Sequence, residues 1–420
     1  PRMPEQPSLP LDALRDTFPA LSRPGPSGPV AYFDGPAGTQ VPQTVIDAVV
    51  DYLGHHNANC GAPFGTSRES DAILDEAHRA AADFLGAGDP GEIAFGPNMT
   101  TLTLSLGRAL ARTWEPGDEI IVSRLDHDAN VTPWVLAARD AGATVKHIDV
   151  EHEDCTLDMQ SFQEALTEKT RLVAVGYASN CVGTINPIQR IAEMARSAGA
   201  LTFIDAVHYA PHGLIDVEEI GCDFLACSAY KFFGPHIGIL WGRRELLETI
   251  TPYKLRPSSD ALPGRWMTGT QNHECIAGVR AAIDYIGAIG SRIDPAAESR
   301  RDQLRGAFSA IQVHERELGR RLIQGLRVIP GLRIWGIVDE DRLPERVPTV
   351  SCTHDSLTPH EIAARLAESG FYVWPGNHYA LPLTETLGLE PHGTLRIGAV
   401  HYNTADEVDR LLVALRRVIV

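Results

Sequence analysis

Lys231 directly follows an apolar segment, in the run Cys227–Pro235. A lysine at the end of a strand in an α/β sheet is partly desolvated, and desolvation lowers its pKa because it disfavours the ammonium form. A neutral amine in such a place can attack a carbonyl group and form a Schiff base. On position alone, a surface lysine at the entry to a loop is the alternative interpretation.

A carboxylate ends another apolar run upstream, Leu201–Asp205. An aspartate at this position can pair with a cationic ring nitrogen, or it can cap the following turn. A Schiff-base lysine together with an acidic partner for a pyridinium nitrogen is the pair that pyridoxal phosphate chemistry needs. Asp205 and Lys231 therefore predict a pyridoxal phosphate site if the fold brings them together.

Three more polar segments follow apolar runs. Asn98–Thr101 opens a Leu- and Ala-rich stretch, and such a turn presents backbone N–H groups and a helix dipole to an anion such as phosphate. His127 and Asn180 follow two other apolar runs. Each segment alone is unspecific, because Asn, Thr and His also occur as ordinary caps and surface residues. Since the carboxyl ends of parallel strands meet at one edge of a sheet, the segments together predict a ligand site there.

Short apolar runs alternate with amphipathic stretches between about residues 41 and 255, which predicts a mostly parallel sheet covered by helices on both faces. The predicted strands are Ile93–Phe95, Glu119–Ser123, Thr144–Ile148, Arg171–Gly176, Leu201–Asp205, Asp223–Cys227 and Ile237–Trp241. A Pro/Ser-rich connection and a long helical region follow, to about residue 325. The last third predicts a small α+β unit with strands Arg333–Gly336, Thr349–Thr353, Phe371–Trp374 and Thr394–Ala399 and helices Pro359–Ser369 and Ala405–Ile419.

The composition excludes several classes of protein. A net charge of −17, from 54 acidic and 37 basic residues, argues against binding nucleic acid or an anionic membrane. No apolar run is long enough for a transmembrane helix, and the first residues lack the features of a signal peptide. The seven cysteines are dispersed, without a CxxC pair, which predicts neither disulfides nor a metal site. We therefore expect a reduced, cytoplasmic protein.

These residues, in this order and spacing, make the sequence resemble the class V aminotransferases, which are fold-type-I pyridoxal phosphate enzymes, and within them the cysteine desulfurase-like branch typified by group II cysteine desulfurases. The run Tyr32–Gln40 is similar to the family's opening YLDxAAxxQ, and Leu395–Asn403 is similar to its closing LRxSxxxYN. The resemblance implies an α/β fold with a mixed, mostly parallel seven-stranded sheet in a large domain (residues 31–290). It further implies a small C-terminal α+β domain (291–420), an N-terminal arm (1–30) that joins the small domain, and a homodimer.

The resemblance also implies roles for individual residues. Lys231 would form the Schiff base, Asp205 would bind the pyridine nitrogen and His127 would stack on the ring. The other implied contacts are Asn98, Met99, Thr100, Ser228 and Tyr230 with the phosphate, Asn180 with the ring 3-oxygen, and His208 close to that oxygen. Thr270 would reach across the homodimer to the partner's phosphate, and Arg396 would bind the substrate α-carboxylate.

The loop Trp374–Pro382 departs from the family pattern, RxGxHCAxP. Tyr379 stands in place of the cysteine that accepts sulfur in desulfurases, and a phenol cannot carry a persulfide. We expect Trp374, His378 and Tyr379 to contact a small-molecule amino-acid substrate and to form a larger, more apolar pocket than free cysteine needs, although Trp374 could instead pack between the domains. The implied activity is a lyase reaction by Cα–H abstraction with β-elimination or C–S (or C–Se) cleavage. Epimerisation or transamination of a larger amino acid, and a true cysteine desulfurase, are the alternatives.

Overall fold

A computed structural model describes residues 9–26 and 28–419 of the chain. Residues 1–8, Ser27 and Val420 lie outside the described residues. The predicted N-terminal arm (1–30) is therefore described only from residue 9 onwards, without Ser27. The helices are Leu11–Arg15 (α1), Gln43–Asp51 (α2), Gly65–Leu85 (α3), Met99–Ala111 (α4), Thr132–Ala141 (α5), Met159–Ala165 (α6), Ile188–Ser197 (α7), Val217–Ile220 (α8), Arg244–Thr249 (α9), His273–Ile293 (α10), Arg300–Arg327 (α11), Pro359–Glu368 (α12), Leu381–Thr386 (α13) and Ala405–Ile419 (α14). No helix within these described ranges is both long and apolar enough to cross a membrane.

A seven-stranded sheet forms the centre of the molecule. Its strands are Ile93–Gly96 (β1), Glu119–Ser123 (β2), Thr144–Ile148 (β3), Thr170–Gly176 (β4), Leu201–Asp205 (β5), Phe224–Ser228 (β6) and Gly238–Gly242 (β7). They lie in the order β1-β7-β6-β5-β4-β2-β3, and only β7 runs antiparallel to its neighbours. The predicted mixed, mostly parallel sheet is therefore confirmed, and three strands have the predicted bounds.

The central strands are apolar on both faces because helices cover both. In β4, Val173 and Val175 pack into a core with α3, α7 and α10, whereas Leu172 and Ala174 face α4 and α5 on the other side. This alternation follows from the two-residue period of a strand. With the sides of the strands buried, their carboxyl ends are the part of the sheet that is open to a ligand.

A second, antiparallel sheet lies in the C-terminal part. Its strands are Leu332–Trp335 (β8), Thr349–His354 (β9), Trp374–Gly376 (β10) and Thr394–Gly398 (β11), in the order β8-β9-β11-β10. One face is apolar and packs on α11, α12 and α14 through residues such as Val350 and Leu395. The other face carries polar side chains, among them Ser351 and Arg396, which lie opposite each other in the register. This polar face is directed towards the carboxyl ends of the large sheet, as the contacts below show.

The prediction of a single strand at Phe371–Trp374 is wrong. Phe371–Tyr372 pairs in parallel with Ala31–Tyr32 near the start of the chain, whereas β10 begins at Trp374 and pairs with β11. The two halves belong to different sheets because Val373 separates them and each finds its own partner.

The described part of the N-terminal arm is anchored by aromatic packing. Phe18 makes edge-to-face contacts with Phe233, Tyr285 and Tyr402, with ring centroids 5.1 to 6.0 Å apart. Arg15 donates a hydrogen bond to the Tyr402 carbonyl and forms an ion pair with Glu407. These contacts join the arm to residues from both of the proposed domains, and the domain limits stay predictions.

Candidate active site

A cavity of about 570 Å³, including its open mouth, lies at the carboxyl ends of the large sheet. The predicted site residues that line it are Asn98, Met99, Thr100, His127, Asn180, Asp205, His208, Ser228, Tyr230 and Lys231. They lie at the ends of β5 and β6 or in the segments that follow β1, β2, β4, β5 and β6, so the sheet topology brings together residues that are far apart in sequence. The remaining lining residues are Asp126, Ala129, Gly176, Ala178 and Val207.

Lys231 lies in a single 3-10 turn after β6 and is buried. Its Nζ donates to the Pro36 carbonyl and lies 4.9 Å from the centre of the Tyr230 ring. Burial, reinforced by the charge of Arg396, lowers the pKa of the amine to about 7. A large fraction of the amine is therefore neutral near neutral pH, as a nucleophilic lysine requires.

Asp205 ends β5 and is buried in the cavity wall. One carboxylate oxygen accepts from the Val207 backbone N–H at 2.9 Å, and burial raises the pKa of the carboxyl to about 6. Lys231 pulls this pKa in the opposite direction, but no basic group of residues 9–26 and 28–419 forms an ion pair with Asp205. A buried carboxylate at a cavity wall without an ion-pair partner fits a cationic ring nitrogen.

Asp126 is a wall residue that the sequence analysis missed. It is fully buried, its carboxylate accepts from the Gly176 N–H at 2.9 and 3.0 Å and from Asn130 Nδ2 at 2.9 Å, and burial raises its pKa to about 7. These bonds tie the loop after β2 to the end of β4. The signal was its position beside His127 after an apolar run.

His127 is held in one orientation. Its Nδ1 accepts from the Ala129 N–H at 3.0 Å, so the neutral ring carries its proton on Nε2. Burial, with the nearby charges of Lys231 and Arg396, lowers the ring's pKa to about 4, and the ring is therefore neutral at pH 7. The Tyr379 ring lies nearly parallel to the His127 ring, with the two ring centroids 5.4 Å apart.

The start of α4 lies at one end of the cavity. Asn98 caps the helix by accepting from the Thr101 N–H at 2.8 Å, and the Met99 N–H donates to Ser228 Oγ at 3.0 Å. Gly238 on β7 passes so close that a Cβ there would lie 2.3 Å from the Asn98 carbonyl carbon. The helix start is thereby fixed against the sheet, where its dipole and hydroxyl groups suit a phosphate.

Arg396 is buried beside the cavity and reaches across from the small sheet. Its Nη1 donates to the Asn180 carbonyl at 2.8 Å, and Asn180 Nδ2 donates to the His378 carbonyl at 2.8 Å. His378 Nε2 lies 2.9 Å from Thr394 Oγ1, and burial together with Arg396 lowers the His378 pKa to about 2. These bonds join the loop after β4, the loop after β10 and strand β11.

Three buried polar atoms in this cluster have no hydrogen-bond partner in the described parts of the chain: Arg396 Nε, Asn180 Oδ1 and His378 Nδ1. Buried polar atoms are almost always bonded in folded proteins, so their convergence beside a cavity indicates a ligand with polar groups. This donor and acceptor set suits an amino acid and a polar aromatic cofactor.

The remaining predicted residues do not line this cavity. Tyr379 is 72% exposed and touches the site through His127, and its carbonyl accepts from the Asp128 N–H at 2.7 Å. Trp374 is 49% exposed and lies opposite Arg396 in the register of β10 and β11. Thr270 is exposed in the loop before α10. Their roles stay predictions.

The loop around Tyr379 is strained. His378 and Tyr379 have φ angles of +58° and +57°, a left-handed conformation that non-glycine residues rarely adopt. Such strain persists only where the surroundings enforce it, here through the Asn180 and Asp128 bonds to the two carbonyls. The loop is therefore a fixed wall beside the cavity.

Comparisons with known proteins agree with this geometry. The family model of the class V aminotransferases matches residues 31–411. The chain is 33% identical to the aminotransferase-like protein FGM3 of Gibberella zeae, over 98% of this chain and 99% of that protein. It is 30% identical to a cysteine desulfurase of Dickeya dadantii, over 97% of each chain. Among solved structures, a cysteine desulfurase from Thermococcus onnurineus aligns with a TM-score of 0.86 at 26% identity, over 98% of each chain.

The family match covers the large sheet, the cavity and the whole small sheet. Class V aminotransferases use pyridoxal phosphate and act on amino acids as small-molecule substrates, and the donors and acceptors of the cavity suit that cofactor. The chain therefore belongs to the class V aminotransferases and is a pyridoxal phosphate-dependent enzyme of the cysteine desulfurase-like branch.

Proposed function

We propose that the protein is a lyase that breaks the bond between the β-carbon and the sulfur of a cysteine-like amino acid by elimination. The observation that carries the proposal is the absence of a thiol: among the described residues lining the cavity there is no cysteine, and the loop position expected to carry one is Tyr379. The similarity to cysteine desulfurases supports a sulfur-containing amino acid as substrate.

The cofactor contacts follow from the cavity wall. We assign Lys231 to its aldehyde carbon, Asp205 to its ring nitrogen and His127 to one ring face. The start of α4, with Ser228 and Tyr230, suits its phosphate. When bound, pyridoxal phosphate weakens the bonds to the α-carbon of an amino acid.

The protein's own groups would select the bond that breaks. The guanidinium of Arg396 suits the α-carboxylate, and its Nε, which has no hydrogen-bond partner among the described residues, would gain a bond in binding it. The Nζ of Lys231, with its lowered pKa, takes the proton from the α-carbon. The departing sulfur can take up the proton that Lys231 has gained, whereas the neutral His127 ring keeps its Nε2–H as a hydrogen-bond donor at the cavity wall.

The other cysteines do not supply the missing thiol, because Cys155, Cys181, Cys222, Cys227 and Cys352 are buried and burial raises the pKa of the half-buried Cys275. Cys181 follows Asn180, but its Sγ is buried 3.8 Å from Ser351 Oγ, and burial raises its pKa. Cys60 is exposed as a residue, but partial desolvation of its thiol and the nearby Asp71 raise its pKa to about 11. With no thiolate to accept sulfur, elimination balances with water alone: cysteine and water yield pyruvate, ammonia and hydrogen sulfide.

The test is a product assay on the pyridoxal phosphate-loaded enzyme with L-cysteine, L-cystine, cysteine sulfinate and cysteine S-conjugates. We expect pyruvate and ammonia in equal amounts, with no product from Lys231→Ala. Alanine together with sulfane sulfur would instead identify a true desulfurase. A change in the cofactor spectrum without pyruvate would indicate epimerisation or transamination, and either result would overturn the proposal.

We further propose that the enzyme is a cytoplasmic homodimer in which Thr270 contacts the partner's cofactor. An exposed apolar stripe on and after α2 (Ile46, Val50 and Leu53) and the exposed loop around Thr270 support this arrangement, and the unpaired cysteines support a reducing compartment. We expect light scattering to give twice the chain mass of 45.7 kDa and Thr270→Ala to weaken cofactor binding. A monomer with full cofactor affinity would contradict both.

A further inference from the structure

Arg346 is a buried guanidinium that takes no part in the proposed reaction. It is only 8% exposed, and it forms no ion pair with any acidic group in residues 9–26 and 28–419. Burial lowers its pKa to about 10, so the group remains charged at pH 7. Burying an unpaired cation is strongly unfavourable, which calls for a compensating set of bonds.

Main-chain carbonyl oxygens provide that compensation. Nη2 donates to Val182, at 3.0 Å, and to Thr349, and Nη1 donates to Ile337. Nε completes the set with a long bond to Val347 at 3.5 Å. One side chain thus gathers carbonyls from the loop after β4, the turn after β8 and the start of β9.

Backbone pairing joins the same segments. Val347 N donates to the Gly183 carbonyl and Ile185 N donates to the Glu345 carbonyl, both at 2.9 Å, with Thr184 opposite Arg346. Gly183 has φ +84°, and a Cβ there would lie 2.5 Å from the Thr349 carbonyl oxygen. The glycine at position 183 therefore allows the loop after β4 to pass close to the start of β9. We call residues 182–185 and 345–347 together the strap.

Both segments of the strap are followed or preceded by residues that contact the cavity. Just before residues 182–185 lies Asn180, whose carbonyl accepts from Arg396 and whose side chain donates to the His378 carbonyl. Just after residues 345–347, strand β9 begins with Thr349, whose Oγ1 lies 3.0 Å from Nε2 of the cavity residue His208. The distance between Asn180 and His208 across the cavity thus depends on how these two segments are held together.

We propose that Arg346 is a positioning residue of the cofactor site, which holds Asn180, Arg396 and His208 in one rigid arrangement before any ligand binds. The cation has a role that a neutral side chain cannot fill, since only a guanidinium presents enough donors, in a plane, for carbonyls from three segments. The inference rests on the proposed binding of the cofactor in this cavity.

The test compares Arg346→Met, which keeps the chain length but removes the donors, with Arg346→Lys, which keeps the charge but has one nitrogen. Arg342→Gln is the matched control, because Arg342 lies on the same segment but pairs with Asp154 and Glu345 at the surface. Apoproteins are titrated with pyridoxal phosphate. The readouts are the dissociation constant and the visible circular dichroism per bound cofactor, which reports the asymmetry around the ring.

We expect Arg346→Met to raise the dissociation constant at least tenfold and to change the dichroism of the bound cofactor, with Arg346→Lys intermediate and Arg342→Gln like the wild type. A loss of stability alone would leave the dichroism unchanged. If Arg346→Met does not fold, Arg346→Lys decides. Wild-type affinity and dichroism in a folded variant would overturn this inference, whereas failure of the wild type to bind pyridoxal phosphate would overturn the proposed function.

Discussion

Replacing Lys231 by Met should make the apoprotein more stable, and by an amount that depends on pH. The pKa of this amine falls from its ordinary value of 10.5 to about 7 on folding. Between these two values the unfolded chain carries a proton that the folded chain lacks. Raising the pH through this window therefore stabilises the fold, and lowering it destabilises the fold. Met has a similar length and no titratable group, so the variant avoids this loss.

The magnitude follows from the two pKa values. At about 1.4 kcal/mol per pH unit, the difference between 10.5 and about 7 corresponds to roughly 5 kcal/mol at pH 7 and below. At pH 9.5, one pH unit below the pKa of 10.5 in the unfolded chain, the expected gain in stability falls to about 1.4 kcal/mol. The carboxyl of Asp205 loses a favourable charge in the variant, which makes these figures upper limits.

The assay is urea denaturation of the apoproteins at pH 7.0, 8.5 and 9.5, with Lys169→Met, an exposed lysine, as the matched control. We expect the free energy of unfolding of Lys231→Met to exceed that of the wild type most at pH 7.0, and the control to differ little at any pH. A difference that stays constant from pH 7.0 to 9.5 would refute the lowered pKa of Lys231, and with it the argument that the amine is ready to react.

Three further predictions concern the cavity and its walls. Tyr379→Cys places a thiol in the strained loop, and we expect it to form a persulfide and to release some alanine from L-cysteine, both detected by mass spectrometry; Tyr379→Ser is the control and should form neither. Asp205→Asn removes the carboxylate proposed to bind the ring nitrogen, and a turnover loss of about 100-fold is expected from the lost electrostatic stabilisation; turnover within threefold of wild type would remove Asp205 from this role. Gly398→Ala would bring a Cβ to 2.1 Å from Cγ of Pro36, whose carbonyl holds Lys231, so we expect about 1–3 kcal/mol of destabilisation by urea denaturation and a weaker cofactor band. Unchanged stability would show that this contact relaxes easily.

The residues at the strand ends could be predicted because their signal is local. An apolar run followed by a polar group marks the end of a buried strand, and Asp205 and Lys231 both follow this pattern. The topology then brings such ends together without any further information. Asp126 has the same local signal, because it follows the buried strand β2 and directly precedes His127.

Arg346 and the arrangement around Tyr379 could not be predicted in this way. The partners of Arg346 are main-chain carbonyls, and because every residue has one, no pattern of side chains predicts which carbonyls Arg346 binds. Likewise, the stack of Tyr379 on His127 depends on two left-handed residues in succession, which the sequence His378-Tyr379 does not favour. In both cases one decisive partner, Val182 for Arg346 and His127 for Tyr379, is distant in the chain, and only the three-dimensional structure brings the two together.

The register of β11 has a consequence for how this site can change. Leu395 points into the apolar core and Arg396 points to the cavity, and neighbouring residues of a strand always point to opposite faces. A one-residue slip of this strand would exchange them, leaving a leucine beside the cavity and a guanidinium among aliphatic side chains. Substitutions in β11 can therefore change the proposed substrate contact of Arg396 while leaving the apolar core in place, whereas a single insertion or deletion in β11 would disrupt the proposed contact and the core together.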